Sequence, residues 1–178
     1  MRAGRAAILI LLAWTAAAAA CANGQPPPPS PGNPASEERP AGEPAAPESL
    51  AFEPLHQDFY SGLEDRRRAV LRTEAEWREL WSEIAGRQVP PPEPLEVDFE
   101  LRMVIVAAMG SRPTGGHAIA IESVRAEGDR IVVGVVETSP GAGCMTTQAF
   151  TAPVVAVTVE KRPGDAVFVE RAVSEPCG

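Results

Sequence analysis

The sequence predicts an α+β fold: an antiparallel β-sheet of about five to six strands with one amphipathic helix packed on it. Three observations lead there. Thr73-Glu74-Ala75-Glu76 is a capping box followed by Trp77, Leu80, Trp81 and Ile84 at helical spacing. Residues 101–109, LRMVIVAAM, are apolar at every second position on both faces, as a central strand would be. Beyond them, apolar alternating runs recur with short turns between, which suits antiparallel pairing.

In chain order, residues 66–72 (RRRAVLR) read as a short strand ahead of the helix, and Gly86 as its C-terminal cap. The segment VPPPEP is a rigid connection. Strands are predicted at 101–109, 117–124, 130–138, 153–161 and 166–170. Residues 125–129 (RAEGD) give a hairpin signal, and Arg162-Pro163-Gly164-Asp165 is a Pro-Gly turn. Between the first two strands lies Arg112-Pro113-Thr114-Gly115-Gly116-His117. Pro113 fixes one φ and lacks an N–H, and the two glycines can take φ > 0. The run therefore reads first as a sharp corner letting the central strand pair with the next. It is also the candidate partner-binding loop: glycines admit a partner's backbone, and Arg112 and Thr114 place donors on the rim.

The front of the chain sets the compartment. Arg2 and Arg5 precede an uncharged apolar stretch, and residues 1–20 read as a signal peptide too short to span a bilayer. Ala18-Ala19-Ala20-Cys21 resembles a bacterial lipobox with Ala18 where Leu is usual, so Cys21 is the expected lipidation site. The alternative is cleavage after an Ala-x-Ala site, leaving a soluble secreted or periplasmic protein. Residues 21–49 form a Pro-rich linker with almost no large apolar side chain, which cannot bury enough surface to offset ordering entropy. As extended polyproline, residues 22–49 would reach about 85 Å. These features predict an exported chain, lipid-anchored in the cell envelope, with its folded domain at 58–178. Ala22 after the cysteine is not Asp, so inner-membrane retention is not signalled.

Residues 1–20 hold two arginines and no acid, so their removal takes the formal net charge from −8 to −10. So acidic a chain argues against nucleic-acid binding. With Cys21 acylated, Cys144 and Cys177 remain as an even pair in an oxidising compartment, and a disulfide between them is expected. The competing reading is a reactive Cys144 approached by His117. There is no G-x-S-x-G elbow, S-x-x-K, C-x-x-C or H-E-x-x-H pattern. Gly115-Gly116 lacks the ending of a phosphate loop and leads into a strand. Glu96, Asp98 and Glu100 alternate, and a solvated face fits them better than a Ca²⁺ site. No catalytic residue, metal or cofactor is predicted, and the chain reads as non-enzymatic.

The order of these features resembles the PrcB-like C-terminal domain family, named for a subunit of a bacterial cell-surface protease complex. The residues that carry the resemblance begin with Ser61-Gly62, the helix from Glu76-Trp77 to Leu80-Trp81, and Val97-Asp98-Phe99 before Met103-Val104-Ile105. They continue with Gly110 to His117, Glu137-Thr138-Ser139-Pro140-Gly141, and Cys144 to Gln148 ahead of Pro153. The resemblance covers about residues 58–170, with His117 where an aromatic, usually Tyr, is expected. It implies a non-catalytic, exported accessory domain, in some members supporting a protease, and hence a protein partner in the cell envelope. A second, more distant likeness links Arg-Pro-Thr-Gly-Gly to the Asn-Pro-Thr-Thr-Gly-Tyr loop of chagasin-type inhibitors, which implies a loop-inserting cysteine-protease inhibitor. The Asn and the second Thr are missing here.

Overall fold

The computed structural model describes residues 46–177. The signal peptide, Cys21 and the linker up to residue 45 lie outside the described residues. Among the described residues, eight strands form two four-stranded sheets, with one helix packed on the outer face of one of them. The strands are β1 (Glu48–Ser49), β2 (Phe52–Asp58), β3 (Arg67–Leu71), β4 (Arg102–Ala108), β5 (Ala118–Glu127), β6 (Arg130–Pro140), β7 (Val154–Glu160) and β8 (Asp165–Glu175); α1 spans Glu74–Ile84. The first sheet has the order β1-β5-β6-β8 and the second β2-β7-β4-β3.

Strand β4 shows why both its faces are apolar. Met103, Ile105 and Ala107 point between the sheets, against Ile119, Ile121, Val133, Val135, Val157 and Val159. Val104, Val106 and Ala108 point the other way, against Trp77, Leu80, Trp81 and Ile84 of α1. The molecule is thus three layers: bare sheet, covered sheet, helix. Thr73 caps α1, accepting from the Glu76 amide while the Glu76 carboxylate accepts from the Thr73 N–H. The helix closes at Ala85 in right-handed geometry, so Gly86 follows the cap and does not form it. Both indoles donate to the Pro-rich connection, Trp77 to the Leu95 carbonyl (2.9 Å) and Trp81 to that of Pro92 (2.8 Å).

Three expectations are corrected. The single sheet of five to six strands is two sheets of four. The folded unit starts before residue 58, because β1 pairs with β5 and β2 with β7. Strand β2 escapes a pattern search because Pro54 interrupts it and its register shifts between Pro54 and His56. Lastly, only the β5–β6 turn is a hairpin. The 109–117 corner carries the chain from β4 in one sheet to β5 in the other, and 161–164 carries it from β7 back to β8. Since β7 runs down the second sheet between them, β8 returns parallel to β6.

The strand directions define two poles. Chain entry at Glu48, the β5–β6 turn and the 161–164 corner share the entry pole. Residues 59–66, 109–117, 141–153 and the end of β8 share the loop pole.

Candidate functional site

The loop pole is built from chain segments that hold one another down. Arg112 and Thr151 exchange backbone hydrogen bonds (2.7 and 2.9 Å), and the Gly115 amide donates to the Thr147 carbonyl (3.0 Å). The Thr151 hydroxyl donates to the Thr114 carbonyl at 2.9 Å. The 110–117 run is therefore laced to 147–151 and does not project as a free loop. Its glycines serve different ends. Gly116 has φ 84°, which favours glycine. Gly115 has no positive φ; a Cβ there would lie 2.2 Å from the Thr147 Oγ1. Gly110, just before the run, has φ 75°, and its Cβ would meet the Glu64 carbonyl oxygen at 2.7 Å.

His117 sits between two hydroxyls, its Nδ1 3.2 Å from Ser139 Oγ and its Nε2 3.3 Å from Thr114 Oγ1. Burial, aided by the Arg112 charge, holds its pKa below the usual imidazole value. Among the described residues no carboxylate hydrogen-bonds this ring, so the pair with Ser139 lacks the orienting acid of a hydrolytic triad. Of the two predicted rim donors, the Thr114 hydroxyl is engaged inside the loop, and the partly buried Arg112 donates from Nη1 to the Ser111 carbonyl at 3.4 Å.

Cys144 and Cys177 are joined by a disulfide with Cα atoms 5.4 Å apart. The Gly141 amide donates to the Glu175 carbonyl at 2.7 Å, so the chain end and the 141–153 segment are fixed to each other twice. Ser61 is fully buried, its hydroxyl donating to the Ala152 carbonyl at 2.7 Å. Gly62 follows because its amide donates to the Ile84 carbonyl (2.9 Å), and a Cβ there would lie 2.2 Å from the Glu83 carbonyl oxygen. Behind the pole, Arg68 on β3 reaches across the sandwich to Glu137 on β6 and Glu170 on β8, with Arg66 alongside. This ion network ties the two sheets together at the β3–β8 edge.

What these segments present to solvent was not singled out in the sequence. Phe59 (45% exposed), Tyr60 (58%) and Phe150 (69%) stand out at the pole, and Met145 is fully exposed. Phe59, Tyr60, Gly115, Gly116, His117, Ala118, Thr147 and Thr151 line a shallow groove of about 300 Å³. Phe59 and Tyr60 lie more than fifty positions from the glycine loop and are brought to it by the Tyr60–Ala152 bridge. One sequence signal could have found Phe150: from Thr138 to Val159 no residue is charged, in a chain of net charge −8.

Elsewhere, Asp98 accepts from the Glu100 amide at 3.0 Å and its carbonyl from Arg102, so it caps a turn. Among the described residues no three His, Cys, Asp or Glu side chains cluster as metal ligands. No described helix is long and apolar enough to cross a membrane.

The likeness to known proteins lies in the stretch from β4 through β7, with the glycine corner and the 141–153 segment inside it. Residues 103–160 match the PrcB C-terminal family model. That range contains the Arg-Pro-Thr-Gly-Gly run, the Glu137–Gly141 segment and Cys144, so the PrcB-like region and the laced half of the loop pole coincide. Phe59, Tyr60 and α1 lie outside the matched range. No curated protein and no solved structure matches the chain.

Proposed function

We propose that the chain is a non-catalytic accessory domain, exported and anchored in the cell envelope, which binds a protein partner through its loop pole. The surface composition of that pole carries this reading. Interface centres are depleted in charge and enriched in aromatic residues, Met and Arg. Here an acidic chain keeps residues 141–153 free of charge and exposes Phe59, Tyr60, Phe150 and Met145, with Arg112 on the rim. The PrcB C-terminal match supports the class of function, and the resemblance extends it to support of a surface or periplasmic protease. The lipobox-like Cys21 and the Pro-rich segment behind it support anchoring.

The chagasin-like alternative gains less support. An inserting loop needs a free tip, and here Gly115 and Arg112 are bonded back to 147–151.

The test is capture from membranes with the tagged chain, beside a Phe59→Ser/Tyr60→Ser/Phe150→Ser variant. The parent should co-purify a stable envelope partner. The variant should melt as the parent does yet lose capture by about thirtyfold or more, the effect of truncating one binding hot spot worth roughly 2 kcal/mol. Undiminished capture by the variant would move the interface elsewhere. Stoichiometric inhibition of a papain-like protease, without a stable complex, would favour the inhibitor reading. Cys21→Ser should shift the protein from the membrane to the soluble exported fraction; an unchanged membrane fraction would remove the anchor.

A further inference from the structure

The bare sheet ends in β8, and nothing among the described residues pairs with its outer edge. Ala166 and Phe168 pack against the inter-sheet core, so the odd-numbered residues face outward on the side that α1 does not cover. In order these are Asp165, Val167, Val169 and Arg171: acid, apolar, apolar, base. Val167 and Val169 are 42% and 54% exposed. Arg171 reaches over β6 to Glu122 at 2.8 Å, in a pair whose side chains are both more than half exposed. Asp165 forms no ion pair among the described residues.

Open edge strands template pairing with another chain unless they are shortened, charged or covered. The other edges here are blunted. Strand β1 has two residues, β2 contains Pro54 and a register shift, and β3 carries Arg67 and Arg68. Strand β8 runs eleven residues, and its only inward-facing charge, Glu170, is neutralised by Arg66 and Arg68.

We propose that β8 is a self-complementary edge that pairs antiparallel with β8 of a second copy of this chain. The two-fold axis passes through Phe168, perpendicular to the sheet. Directly opposed residues in an antiparallel pair share a face, so the register must keep outward residues opposite outward ones. With Phe168 opposite its own symmetry mate, Asp165 lies opposite Arg171 of the second copy, and Val167 opposite Val169. Symmetry repeats both contacts, as an isologous interface requires. Centring on Glu170 or Arg171 would set like charges face to face. The registered pairing joins the two bare sheets into one of eight strands. It leaves the loop pole uncovered, and so does not depend on the reading given to that pole.

The experiment is sedimentation of the full chain from micromolar to millimolar protomer, with Asp165→Arg, Arg171→Asp and the double variant. The parent should pass from monomer to dimer. Each single variant turns two symmetry-related attractions into repulsions, which should raise the dissociation constant about tenfold or more. The double variant should dimerise as the parent does. An equimolar mixture of the two single variants should form heterodimers, since each acidic edge then faces a basic one. A parent that stays monomeric at millimolar concentration overturns the proposal. So do a dimer indifferent to both swaps and a mixture that does not associate. Should one single variant fail to fold, the parent's concentration dependence still decides.

Discussion

At the entry pole, charge is everywhere and is mostly answered. Arg162 holds Glu48 with two contacts of 3.1 Å and stands 3.5 Å from Glu160, and Arg102 pairs with Glu53 at 3.2 Å. Arg72 donates to the carbonyls of Arg162 and Gly164. At the loop pole residues 141–153 have no charge, and that segment is held by backbone exchange, hydroxyls and a disulfide. The difference teaches where a fold can spend exposed apolar surface. Exposed ion pairs contribute little individually, so the entry pole is solvated more than it is locked. The loop pole, irregular though it is, is cross-tied enough to hold aromatic side chains out in water.

The largest expected break of that contrast is loss of the covalent tie. Cys144→Ser with Cys177→Ser opens a cross-link of sequence separation 33, which chain entropy values at about 3–4 kcal/mol. Urea denaturation of the oxidised parent against the double variant measures it; equal midpoints would show that the pole is held without the bond.

Glycines at the two poles sharpen the comparison next. Gly110→Ala should cost about 3 kcal/mol, because positive φ and a backbone clash at 2.7 Å act together. Gly128→Ala, in the β5–β6 turn, has φ 59° and nothing within 4 Å of the added Cβ, and should cost about 1 kcal/mol. Thermal melts of both variants test this, and the contrast fails if Gly128→Ala is the more damaging.

The pH response is smaller. His56 packs edge-on against Trp81 at 4.9 Å and has a buried Nε2 without a partner. Burial lowers its pKa, partly offset by Asp58, and burial with Arg112 lowers that of His117. Both rings are thus favoured neutral in the folded state. The unfolded chain binds more protons as pH falls through 6.5, so stability is full above that value and declines below it. Chemical denaturation at about pH 8 and pH 5 should show this decline, and His56→Leu should reduce it. A parent more stable at the lower pH would contradict the sign.

The smallest effect is at chain entry. Glu48→Ala removes an exposed pair with Arg162 and should shift stability by less than about 1 kcal/mol. A loss rivalling that of the disulfide would mean the entry pole is locked after all.

How far the sequence foretold these regions depends on how local their causes are. The capping box of α1, the Trp77–Ile84 stripe and the two-faced apolarity of β4 are written within a few residues, and they are where the periodicity places them. The disulfide followed from counting cysteines in an oxidising compartment. The corners at 109–117 and 161–164 misled because a short turn between apolar runs looks the same whether the next strand pairs beside the last or crosses to another sheet. Strand β8 was seen only as far as residue 170, since in Arg171–Glu175 only Val173 is partly buried, too little to impose a pattern. At the candidate site the Arg112–His117 run was legible as a loop, but its lacing to 147–151 was not. The groove depends on Phe59 and Tyr60, which are brought there by β2, the strand that Pro54 hid.

The place where the chain enters has a mechanical meaning. A pull on the chain ahead of Ala46, resisted by a partner gripping the loop pole, acts along the strands. Strand β2 runs from Phe52 toward the loop pole, antiparallel to β7 through Asp58. Past the two-residue β1, which meets the load first against β5, the pull drags β2 lengthwise past β7 and strains their rungs together. It does not peel them open one by one, so a ladder that is modest at equilibrium bears tension in its strong direction.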